Sequence, residues 1–173
     1  MNTSPLSRKC SSRQGFSLVE LALALGVAGF CLTTVLGLLP VGLASNQVSL
    51  NQTVAANITS AIQSDLNCTP LASGTSPEFG FAIPSAGNST TLETIYLTAD
   101  GIATARNNPP TATGTAASRY RATLWFNSPA QGQRTATAVR ILVTWPALAD
   151  GNPASSPQYY TGSYEADTTL NRN

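Results

Sequence analysis

Few residues in this chain could do chemistry. It has no histidine, a single lysine (Lys9) and eight acids. General acid–base work at neutral pH would fall to carboxylates or to Lys9. Seven of the acids (Asp65, Glu78, Glu93, Asp100, Asp150, Glu165 and Asp167) are scattered. They form no D-x-D loop and no ligand cluster. A calcium site would have to draw on Asp150, Asn152, Glu165 and Asp167; solvated loop acids are the commoner outcome. Arg119, Arg121 and Arg140 could share a sheet face and hold an acidic partner or DNA, against the plainer reading of a solvent face. Glu20 stands apart, just inside an apolar run reaching about Ala44. An unpaired carboxylate at the centre of a membrane helix costs about 2.5–3.5 kcal/mol, less near an end. Glu20 therefore calls for a partner, and the nearest candidate is a free α-amino group on a neighbouring chain. The expectation is a chain that is not an enzyme, needs no cofactor or metal, and has chemistry done to it.

The elements that must position Glu20 are a basic leader and a helix. Arg8, Lys9 and Arg13 precede the apolar run. Residues 16–44 hold one ionisable group, and a bilayer core needs roughly 20 apolar residues of helix. The run is long enough to span and too long for an ordinary signal-peptide core. Basic residues just before it predict a cytoplasmic N-terminus and an exported remainder. Without residues 1–15, six arginines face eight acids, a balance of −2, which argues against nucleic-acid binding by bulk charge. Cys10 lies in the leader, Cys31 in the apolar run and Cys68 beyond it, so no internal disulfide framework is expected. Ala22, Gly26, Gly29, Thr33 and Gly37 place small residues on one helix face where another helix could approach.

Gly15-Phe16-Ser17-Leu18-Val19-Glu20 resembles the type IV prepilin motif: a glycine, an aromatic start and a glutamate at the fifth position after the cut. The resemblance implies cleavage by prepilin peptidase between Gly15 and Phe16 and N-methylation of Phe16. It also implies pairing of Glu20 with the Phe16 amine of an adjacent pilin or pseudopilin subunit. Val35-Leu36-Gly37-Leu38-Leu39-Pro40-Val41-Gly42-Leu43 is similar to the pilin-like family called Verru_Chthon cassette protein B, defined by its gene cassette. Pro40 falls later than the kinking proline of typical major pilins. A bend or melted turn is expected near residues 36–40.

Beyond the run, Val54, Ile58, Ile62 and Leu66 recur every fourth residue, with Ala55 and Ala61 alongside. This predicts an amphipathic helix ended by Asn67-Cys68-Thr69-Pro70. Phe79, Phe81 and Ile83 alternate before Pro84. Leu92–Thr98, the Ala99-Asp100-Gly101 turn and a return from Ile102 read as a hairpin. Arg119–Phe126 and Thr137–Trp145 are the best strands, and Tyr159–Glu165 a short last one. Val139 to Trp145 also looks like the V-x-V-x-W strand of minor pilins and minor pseudopilins. The predicted fold is α+β and pilin-like: a long N-terminal hydrophobic helix packed at its C-terminal half against an antiparallel sheet of about four strands. The divisions are a 1–15 leader, a 16–44 transmembrane and assembly helix, a 45–70 continuation and a 71–173 exported head.

Three functions fit these residues. The first is a minor pilin or pseudopilin, a subunit or initiator of a type IV pilus or type II secretion-like filament. It would be held in the inner membrane with its head periplasmic until assembly. The second is a DNA-uptake or adhesion subunit whose head binds a ligand. The third is an unprocessed single-pass anchored domain.

Overall fold

The computed structural model describes residues 15–70, 73–84, 90–108, 118–130, 136–149 and 157–171. The chain divides into two compact units, Met1–Ser45 and Asn46–Asn173. One helix, α1, is Leu18–Cys68, and five strands follow: β1 Thr90–Leu97, β2 Ala103–Arg106, β3 Tyr120–Asn127, β4 Thr137–Trp145 and β5 Gly162–Leu170.

In the first unit every described residue is exposed, including Phe16, Leu18, Leu25, Phe30 and Leu38. The helix here is rich in leucine and alanine, both strong helix formers. Its hydroxyls are satisfied internally: Thr33 Oγ1 donates to the Gly29 carbonyl at 2.9 Å and Thr34 Oγ1 to that of Phe30 at 2.7 Å. Such internal pairing is what a lipid surround demands of polar groups. The melted turn expected at residues 36–40 is not found, because helix runs unbroken through Pro40. Proline removes one backbone donor, and the flanking turns keep theirs.

In the second unit the helix buries Ala55, Ile58, Thr59, Ile62, Asp65 and Leu66. These residues recur at helical spacing on one stripe. They share a core with Ile95 and Leu97 of β1, Tyr120, Ala122, Leu124 and Phe126 of β3, and Val139, Ile141, Val143 and Trp145 of β4. Ala55, Ile58, Ile62 and Leu66 of the predicted stripe are buried and Val54 is half-buried, and two neighbouring residues differ. Ala61 is exposed, whereas Thr59, assigned to the polar side, is buried with its hydroxyl on the Ala55 carbonyl at 2.8 Å.

The sheet is antiparallel, of order β2-β1-β3-β4-β5. Five strands replace the predicted four or so. The β1–β2 hairpin forms as expected: Gly101, at φ +78, lets its N–H reach the Thr98 carbonyl, and Thr98 N donates to Ile102 O at 3.0 Å. β5 begins later than predicted and runs to Leu170. It is an edge strand with little apolar alternation, so it is held by pairing with β4 rather than by burial. Gly162 faces Trp145 so closely that an added Cβ would stand 2.4 Å from the indole, which leaves no room for a side chain there.

Phe79, Phe81 and Ile83 are buried as their alternation suggests, but they form no strand. Residues 73–84 fold back on themselves through the isolated Thr75–Ala82 bridge, with Ile83 N donating to Gly74 O at 2.9 Å. Asp65 ties this segment to the helix. Its carboxylate accepts Glu78 N at 2.9 Å and Phe79 N at 3.1 Å.

Ile62 has no exposed surface and lies in the middle of the stripe. Ile62→Ala is expected to destabilise the head by about 2–5 kcal/mol, through lost burial plus the cavity left behind. Chemical denaturation of the detergent-solubilised chain, followed by circular dichroism, measures this.

Candidate functional site

The motif residues sit where the chain enters the helix. Gly15, Phe16 and Ser17 precede the first helical residue, and all three are exposed. An added Cβ at Gly15 would meet nothing within 4 Å, and Phe16 is 84% exposed. Both residues flanking the Gly15–Phe16 peptide bond are therefore exposed and lie outside the helix. Residues 1–14, including the basic leader and Cys10, lie outside the described residues.

Leu21 N donates to Ser17 O at 3.1 Å, which makes Ser17 the residue that opens the helix. Glu20 then falls in the first turn, three residues after Ser17, the spacing of a capping box. A carboxylate in the first turn faces the positive end of the helix dipole. Glu20 is exposed, so its carboxylate is offered outward to whatever lies beside it. The Ser17-x-x-Glu20 spacing was readable in the sequence and went unremarked, because the apolar run drew attention to the helix body. Among the described residues, one helix is long and apolar enough to cross a membrane, and its apolar part lies near the N-terminus. Cys31 and Cys68 are both free and exposed.

The head does not present the arginine face considered above. Arg121 is buried, with Tyr96 and Thr144 as its register neighbours. Arg119 Nη2 instead donates to Asn51 Oδ1 on the helix at 3.1 Å, and the Tyr120 hydroxyl donates to the same oxygen at 2.9 Å. Arg140 is exposed as Arg119 is, and it too is engaged. Its Nε and Nη2 donate to the two Glu165 carboxylate oxygens at 2.6 and 3.0 Å, and its guanidinium lies 5.3 Å from the centroid of Trp125. Hydrogen bonding to Glu165 and that carboxylate's charge hold the Arg140 guanidinium above its usual value. The face is thus neither three solvated arginines nor an open anion site. Strand alternation misses this because it assumes one wet face, whereas central β3 is buried on both sides.

Among the described residues, no three His, Cys, Asp or Glu side chains gather as for a metal ion. Of the calcium candidates, Glu165 is tied to Arg140 and Asp167 pairs with Arg140 in strand register; Asp150 and Asn152 lie outside the described residues. Asn51 and Asp65, which clamp the helix to the head, went unnoticed as structural residues. Asp65 carried a signal: it falls on the same stripe as Ile58 and Ile62, and a carboxylate on an apolar stripe needs donors.

No family model matches this chain, and no curated protein or solved structure matches it.

The Tyr120 phenol is pushed above 10.0 by burial, opposed by the charge and hydrogen bond of Arg119. A raised pKa in the folded state favours the neutral phenol. Its contribution is intact below pH 10.0 and is lost as pH climbs through the raised value. Tyr120→Phe should flatten that alkaline loss, while removing about 1 kcal/mol at neutral pH with the Asn51 bond. Denaturation midpoints of both proteins between pH 7 and 11 measure the difference.

Proposed function

We propose that the chain is a minor pilin or pseudopilin, a structural subunit or initiator of a type IV pilus or type II secretion-like filament. The observation that carries the reading is the Gly15–Glu20 hexapeptide at the junction of a basic leader and an apolar helix. An exposed Gly15–Phe16 bond and an exposed Glu20 in the first helical turn suit it. So does the one-helix, antiparallel-sheet layout of the chain. The Val35–Leu43 segment favours membership of the Verru_Chthon cassette protein B family.

On this reading the chain first inserts as a single-pass inner-membrane protein, with its N-terminus cytoplasmic and its head periplasmic. A prepilin peptidase then hydrolyses the Gly15–Phe16 amide. Water is consumed, the leader leaves with a carboxylate, and Phe16 gains a free α-amine that is then methylated. That amine stays cationic and sits at the start of an apolar helix. Neither it nor Glu20 of a neighbour is well placed alone in a low-dielectric surround. Brought together, each satisfies the other, and their pairing sets the stagger between adjacent helices. The peptidase and sibling subunits are the partners; the methyl group on Phe16 comes from a methyl donor used by the processing enzyme, with loss of an amine proton, and the chain itself is expected to hold no cofactor.

Glu20→Ala separates this role from plain anchoring. With the peptidase and assembly machinery present, the variant should insert and be cut as before. Its incorporation into sheared filaments should fall roughly tenfold or more, the equivalent of about 1.4 kcal/mol of lost pairing. Incorporation equal to that of the parent chain would overturn the role given to Glu20.

A further inference from the structure

The two ends of the head differ in what they expose. One end is marked by Asn51, which receives Arg119 and Tyr120 from the start of β3. Backbone hydrogen bonds carry this end across the sheet. Thr98 N donates to Ile102 O, Arg119 N to Leu97 O, Ala147 N to Arg119 O and Thr161 N to Trp145 O. The β1–β2 turn, the start of β3, the end of β4 and the start of β5 are thereby neighbours. Ile102 is 65% exposed here, Leu148 51% and Tyr159 70%, with Tyr160 and Tyr164 exposed beside them. Val48 and Leu50 are exposed on the turn of helix just before Asn51. No other large apolar side chain of the Asn46–Asn173 unit is exposed among the described residues. At the opposite end, where β1 begins and β3 and β5 finish, the exposed residues include Thr90, Asn127 and Thr169.

A single exposed leucine or tyrosine is ordinary; their confinement to one end of the head marks a contact surface. Continuity of the chain says what covers it. The apolar run, long enough to cross a membrane, closes at Ala44, and Asn51 comes seven residues later. Even fully extended, seven residues reach at most about 25 Å. This end of the head is therefore tethered close to any bilayer that holds the run. Tyrosine, with an apolar ring and a polar tip, favours the headgroup layer of a bilayer. Ile102 and Leu148 add aliphatic surface that gains by leaving water. We propose that this end of the head rests in the headgroup layer of the membrane that anchors the chain. The proposal rests on the single-pass anchor in the reading above, and not on processing or filament assembly.

The test uses the full chain in phosphatidylcholine vesicles whose lipids carry a nitroxide quencher, either near the headgroup or deep in the acyl chain. A fluorescent amino acid replaces Leu148, Thr169 at the opposite end, or Phe30 in the apolar run. The shallow nitroxide should quench the probe at Leu148 at least fivefold more strongly than at Thr169, with no change as the protein is diluted into more lipid. Ile102→Ser/Tyr160→Ser should weaken that quenching about threefold. Both residues are exposed, and circular dichroism checks that the head stays folded. Three results would overturn the proposal: quenching at Leu148 no stronger than at Thr169, quenching indifferent to the double substitution, or quenching that follows protein density, which would assign this end to a second copy. The Phe30 probe separates the two ideas. Deep quenching at Phe30 without shallow quenching at Leu148 keeps the anchor and sinks the headgroup contact, whereas no quenching at either site sinks both.

Discussion

The head depends on one apolar stripe. Ala55, Ile58, Ile62 and Leu66, with Val54 packed beside them, are the apolar cover that the helix gives the sheet's inner face among the described residues. A five-stranded sheet of this size has too little core to stand on its own strands. Burying each Ile or Leu contributes roughly 1.5–3 kcal/mol, so the stripe supplies much of the margin by which the head folds. The polar clamps then fix its register. Asp65 holds the 73–84 segment by two backbone N–H groups, and Asn51 receives both Arg119 and Tyr120 from the start of β3. Helix and sheet are thereby locked by an oxygen near each end of the stripe.

The charges follow a consistent logic. Among the described residues of the head, Arg106, Arg119 and Arg140 each have an internal partner, and Glu78 and Asp100 are exposed. In the first unit the sole charged side chain among the described residues is Glu20, at the first turn of an exposed apolar helix. A lone carboxylate there is a poor choice for a simple anchor, since any neutral residue would insert more readily. On the proposed filament reading, a neighbouring helix supplies the positive charge.

Much of this was legible beforehand. Periodicity located the helix from the apolar run through Leu66, because leucine, alanine and isoleucine recur at helical spacing and Pro70 closes the run. The Ala99-Asp100-Gly101 turn and the β3 and β4 strands followed from alternation and glycine chemistry. The misses have specific causes. β5 has almost no apolar face, so its pairing with β4 leaves no mark in its composition. Phe79, Phe81 and Ile83 reach the core from a folded-back segment, which alternation alone cannot tell from a strand. Arg121 is buried because β3 is central, a property of sheet order and not of local sequence. The proposed processing site rests on residue types and spacing. The structure adds the exposure of the Gly15–Phe16 bond and the place of Glu20 in the first turn.

The most direct test of the central claim is the N-terminus of the chain after co-expression with an active prepilin peptidase, read by intact mass and N-terminal sequencing. The account predicts a protein beginning at methylated Phe16. A chain still beginning at Met1, while a control prepilin in the same cells is cut, would contradict it.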